Sequence, residues 1–349
     1  MASDSPGREG VVSRSTRSRM KKHPTGEDML HLSQAARLQL EAYTDECIGK
    51  ALAGCSGFPA PLSKIEALGA TLSTALPAAA DAWSHVVARA RAAVHLVGAF
   101  SFGVPSIEFL AADGAPQRCA LADAMIVVDN LMGPVPERRA ILLTADIAEG
   151  IDNPQVKTQP GRAELYANWP PFRLINSRYS PQVRTLNETG GGTLRGGCRR
   201  HVIYDLRNCT TFCSAPSSDQ ASDDLGPRTF GSVLVGLAVG AEGWCAVPGG
   251  DDDWSVTIDD LLVATRGSTV AGLTPGRADA RTAQTYGGEH GTGYVLFLNQ
   301  TDQPIEEAIV NGYIDDRLTG EREGPLSVVH IIFQGLHAEA RPPRDGLVN

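Results

Sequence analysis

The sequence predicts an α/β fold with a mixed central sheet flanked by helices, and three patterns carry that prediction. Apolar residues recur at helical spacing through most of residues 28–97. Two continuous apolar runs of strand length follow, Ala-Met-Ile-Val-Val at 124–128 and Ala-Ile-Leu-Leu-Thr at 140–144. Helix and strand patterns then alternate as far as residue 334. The composition agrees: 42% of the 349 residues are hydrophobic and 20% are charged. That suffices for a real core and excludes a wholly disordered chain.

Taken in order, residues 1–27 hold Arg8, Arg14, Arg17, Arg19, Lys21 and Lys22 among Ser, Thr and Gly. They read as a disordered basic tail, because nothing there offsets the entropy of ordering. Residues 28–100 read as a helical part: one helix over 28–55, a second over 62–76 stopping before Pro77, and a third over 78–97. Residues 101–185 read as the core. There, 106–110 is a short strand, Asp113-Gly114 a turn, and the two apolar runs an antiparallel hairpin in the sheet interior. A short helix over 160–168 ends at Trp169-Pro-Pro-Phe172. Two prolines force an extended exit, and Trp169 and Phe172 either anchor it in the core or stack on bases.

Residues 186–349 read as a C-terminal α+β part. It opens on irregular chain over 186–228, with one strand at 201–206. Helices follow over 229–246 and 252–265, with Asp251 or Asp252 as N-cap of the second. A glycine-rich loop covers 267–292, and strands cover 294–299 and 327–334. The strings Gly190–Gly197 and Gly287–Gly293 lack the surroundings of a phosphate-binding turn and read as loops.

No apolar run reaches the roughly 18 residues of a membrane span. The nearest, 92–104, is interrupted by His95. No charged segment followed by an apolar one opens the sequence, so its seven cysteines read as reduced thiols of a cytoplasmic protein. A net charge of −9 argues against a protein that coats nucleic acid non-specifically, but leaves room for one local basic patch.

Two constellations carry chemistry. Asp123 stands at the mouth of the first buried strand and Asp146 at the end of the next. Neighbouring strands lie about 4.8 Å apart, so the two carboxylates could share one divalent cation, as metal-assisted phosphodiester hydrolysis requires. Strand-end Asp residues also cap turns, and that reading stays open. The second is Cys198-x₂-His201 with Cys209-x₃-Cys213, four zinc-type ligands in irregular chain. Against zinc, the spacing is not a standard one, and His201 opens a strand where it can simply pack.

The strings Cys119-Ala-Leu-Ala-Asp123, Arg138-Arg-Ala-Ile-Leu-Leu-Thr144-Ala-Asp146 and Glu164-Leu-Tyr166…Trp169-Pro-Pro-Phe172 resemble bacterial proteins of the restriction-endonuclease-like, PD-(D/E)XK type. The resemblance covers about 55 residues well. It implies a restriction-endonuclease-like core in which Asp123 binds Mg²⁺ or Mn²⁺. The second strand's acidic or Gln residue, here Thr144, would bind metal too. A Lys two residues later, here Asp146, would orient the attacking water. The sequence departs from this pattern at Ala120, where the family string has Glu, at Thr144, and at Asp146, where the charge is reversed. Two functions follow. Either Asp146 has become a metal ligand, with Lys157 or Arg162 supplying the cation, and the chain is a Mg- or Mn-dependent nuclease acting on DNA in bacterial defence or DNA processing. Or the site is silent, and the chain is a scaffold that binds nucleic acid or a protein partner.

Overall fold

The computed structural model describes residues 30–55, 62–101, 104–133, 135–148, 160–175, 179–186, 197–214, 228–272, 283–288, 291–298 and 326–336. The basic stretch 1–27, the glycine string 190–196, His290 and Lys157 lie outside the described residues. The architecture is the expected mixed α/β one. Helix α1 (Gln34–Cys55) is followed by α2 (Lys64–Ala70), a π-helical turn at Thr71–Ala75 and α3 (Leu76–Val87). The last three run on without a break, so Pro77 does not end a helix as expected. The wider π turn lies where the proline ring lacks an N–H and crowds the carbonyl four residues back.

Strand β1 (Ala92–Ser101) corrects the expectation that this helix continues to residue 97. Arg91 takes a left-handed φ of 55° and breaks the helix. Ala92, Val94 and Leu96 then alternate into the core. β2 (Ser106–Leu110) and β3 (Pro116–Ala120) form a hairpin around Gly114, whose φ of 82° suits glycine. β4 (Ala124–Leu131) and β5 (Glu137–Ile147) pair antiparallel, from Ala124 opposite Leu143 to Asn130 opposite Glu137, as the two apolar runs predicted. Helix α4 (Pro160–Asn168) leads to β6 (Phe172–Leu174), which joins β2 and β3 in a three-stranded sheet.

β7 (Arg199–Asp205) returns parallel to β5, with His201 opposite Thr144, and β8 (Thr210–Ser214) folds back on β7. The expected helix over 229–246 is shorter, α5 (Phe230–Ala238), and gives way to β9 (Trp244–Ala246). α6 (Asp253–Gly272) is capped by Asp252, whose carboxylate accepts from the Ser255 N–H at 2.9 Å. The expected loop over 267–292 holds the end of α6 and strand β10 (Ala283–Gly288). β11 (Gly291–Leu298) and β12 (Ser327–Gly335) complete the set.

Among the described residues nine strands make the main sheet, in the order β10-β11-β1-β12-β4-β5-β7-β8, with β9 on β5. Its strands come from the expected helical part, core and C-terminal part alike, so one sheet spans all three. Alternation along β4 sends Ala124, Ile126 and Val128 into a core shared with α1, α3 and α5. Met125 and Val127 enter a second core with α4, α6 and the small sheet. A strand buried on both faces needs apolar side chains at every position, which is why these runs show no polar alternation. Each buried Val, Ile or Met among them contributes about 1.5–3 kcal/mol. Among the described residues no helix is long and apolar enough to cross a membrane.

Candidate functional site

Asp123 occupies the bend just before β4, where its N–H donates to the Leu143 carbonyl at 2.8 Å. Its carboxylate is enclosed. Arg162 Nη2 of α4 donates to Oδ1 at 2.9 Å, and Arg162 Nη1 to Oδ2 at 3.3 Å. The Ala145 N–H donates to Oδ2 at 2.8 Å. Lys64 Nζ stands 3.4 and 3.5 Å from the two oxygens. The Asp123 and Arg162 side chains are only 8% and 9% exposed, whereas Lys64 is 34% exposed. Burial would raise the Asp123 carboxyl, but Arg162 and then Lys64 outweigh it and hold the group below its ordinary value.

The local sequence builds this arrangement from three elements. Ser63 and Glu66 form a capping box that starts α2 and presents Lys64 in its first turn. Arg162 also donates from Nε to the Ala120 carbonyl at 3.2 Å. Ala120 carries no carboxylate of its own to compete for the guanidinium. Tyr166, one turn further along α4, donates its hydroxyl to the Leu121 carbonyl at 2.7 Å and ties the helix to the same bend.

Asp146 and Thr144 lie on the β5 face that carries Ala140 and Leu142 into the second core. Asp146 Oδ2 stands 2.9 Å from His201 Nε2 of β7. Arg162, one of the two cations that the nuclease reading offered, therefore serves Asp123, and the two aspartates take different partners. Lys64 is the cation that sequence reasoning missed. Ser63 and Glu66 at capping-box spacing mark a helix start, but a contact made 59 residues away along the chain leaves no local signal.

The four zinc-type ligands do not converge. In the β7–β8 pair His201 lies opposite Ser214, and Cys213 opposite Val202. Strand alternation therefore sends Cys213 into the first core, while Cys198 is buried in the second. Cys209 sits in the β7–β8 turn at a left-handed φ of 51°, its Sγ toward the Leu206 carbonyl at 3.7 Å. Burial pushes the Cys213 thiol up, away from the thiolate that metal binding needs. Among the described residues no three His, Cys, Asp or Glu side chains gather as a metal-binding group.

Trp169 and Phe172 anchor the chain after α4 and do not project for stacking. Both are buried, with ring centroids 6.2 Å apart. The Arg199 guanidinium lies 4.5 Å from the Tyr166 ring centroid and 5.5 Å from that of Trp169. Trp169 itself takes a left-handed φ of 40°, a strained conformation that the packed rings hold in place.

Chemically, the corner is a carboxylate already neutralised by the protein. A Mg²⁺ or Mn²⁺ ion needs free oxygen ligands, and at Asp123 N–H and ammonium donors point where the ion would sit. The residues present do not fit that cation. No protein-family model, curated protein or solved structure matches the chain.

Proposed function

We propose that this chain is a catalytically silent member of the restriction-endonuclease-like group that works by binding nucleic acid. One observation carries the reading: the carboxylate that a nuclease would keep for metal is enclosed by Arg162, Lys64 and the Ala145 N–H. The strings around Asp123, Asp146 and Trp169-Pro-Pro-Phe172 supply the group, and the group's use of nucleic acid supplies the partner class. A bound duplex would meet Lys64, the cation of this corner that reaches solvent, without a hydrolytic centre beside it, since an Asp at position 146 cannot steady the negative charge that develops on a phosphate.

The competing reading is a Mg- or Mn-dependent nuclease in which metal displaces Arg162 from Asp123. Incubating the full chain with labelled DNA and RNA, with and without millimolar Mg²⁺ or Mn²⁺, separates the two. The silent reading expects no cleavage and metal-independent binding that weakens as salt rises. Metal-dependent cleavage abolished by Asp123→Asn would replace it with the nuclease reading, and loss of all nucleic-acid binding would leave a protein-binding scaffold.

A further inference from the structure

We draw no further inference here: the strongest candidate, the solvent-facing side of the small sheet, where Arg118, Glu108 and Arg173 form one cross-strand row next to the exposed Leu110, carries nothing because Arg173 is already paired with Glu108 at 2.6 Å and nothing in the structure shows what covers that face.

Discussion

Replacing Asp123 by Asn keeps the side chain's size and one carbonyl oxygen but removes its charge. That oxygen can still accept from the Ala145 N–H, now 2.8 Å away, but the buried Arg162 guanidinium loses the carboxylate that both of its Nη atoms bond. Removing one partner of a buried ion pair costs about 3–5 kcal/mol. The retained acceptor places this case at the lower end. Lys64, one-third exposed, returns to water and adds at most about 1 kcal/mol. A loss near 3 kcal/mol follows, which for a chain this long lowers the melting temperature by about 6 °C. Urea unfolding followed by tryptophan fluorescence, together with calorimetry, reads both quantities. The double change Asp123→Leu with Arg162→Met should recover most of the loss, because an apolar pair removes both buried charges together. A carboxylate reserved for metal behaves in the opposite way: its neutralisation relieves strain and stabilises the metal-free protein. If Asp123→Asn is neutral or stabilising, the ion pair is not holding this corner together and the silent-site reading fails.

Acid should weaken the fold over a defined range. Burial would raise the Asp129 carboxyl, but hydrogen bonds from Arg138 and His330 and the charges of both draw it down to about 2. Its contribution, about 2 kcal/mol, is therefore complete above about pH 4 and lost as pH falls through 2, in the same direction as that of Asp123. Asp129→Asn should flatten urea-measured stability between pH 4 and 2, and an unchanged slope would show that Asp129 is not responsible. Gly243→Ala should cost about 2 kcal/mol by urea unfolding, since Gly243 has a φ of 70° and an added Cβ would meet Leu237 Cδ1 and stand 3.0 Å from the Ala140 carbonyl oxygen. A change below about 0.5 kcal/mol would mean that this turn relaxes freely. Burial raises the thiols of Cys213 and Cys245, the latter to about 11. Iodoacetamide at pH 8 should leave both unmodified in the folded chain, and rapid labelling seen by peptide mass spectrometry would contradict their burial.

What the sequence made legible was local. The runs 124–128 and 140–144 announced a doubly buried hairpin because they need no distant information, and the prolines at 170 and 171 marked the end of α4 for the same reason. The stretch from Ala88 to Val97 misled because Ala and Val fit both periods, and because Arg91 turns left-handed without a glycine to signal it. Strands β8, β9 and β10 are short, and their pairing rather than their composition makes them strands. In the site, Asp123 was legible at the strand mouth and Arg162 was named as a cation. Which carboxylate Arg162 would meet depended on how α4 packs, and Lys64 arrives from a helix 59 residues away. The Asp146–His201 contact likewise follows from the parallel register of β5 and β7, which no local pattern encodes.

The position of β12 has a consequence for how the protein is made. It joins β1 to β4, and with them the β10-β11-β1 half of the sheet to the β4-β5-β7-β8 half. Yet β4 ends at Leu131 and β12 begins only at Ser327. At ribosomal rates that interval lasts about 10–40 s, during which β1 and β4 have no central neighbour. Their edges are apolar and unpaired through that time, the state in which nascent chains aggregate or recruit chaperones. A polypeptide released before Ser327 would carry two half-sheets with no seam. A translation stall or nonsense change far downstream of the Asp123 corner should therefore abolish the fold as completely as a lesion within it.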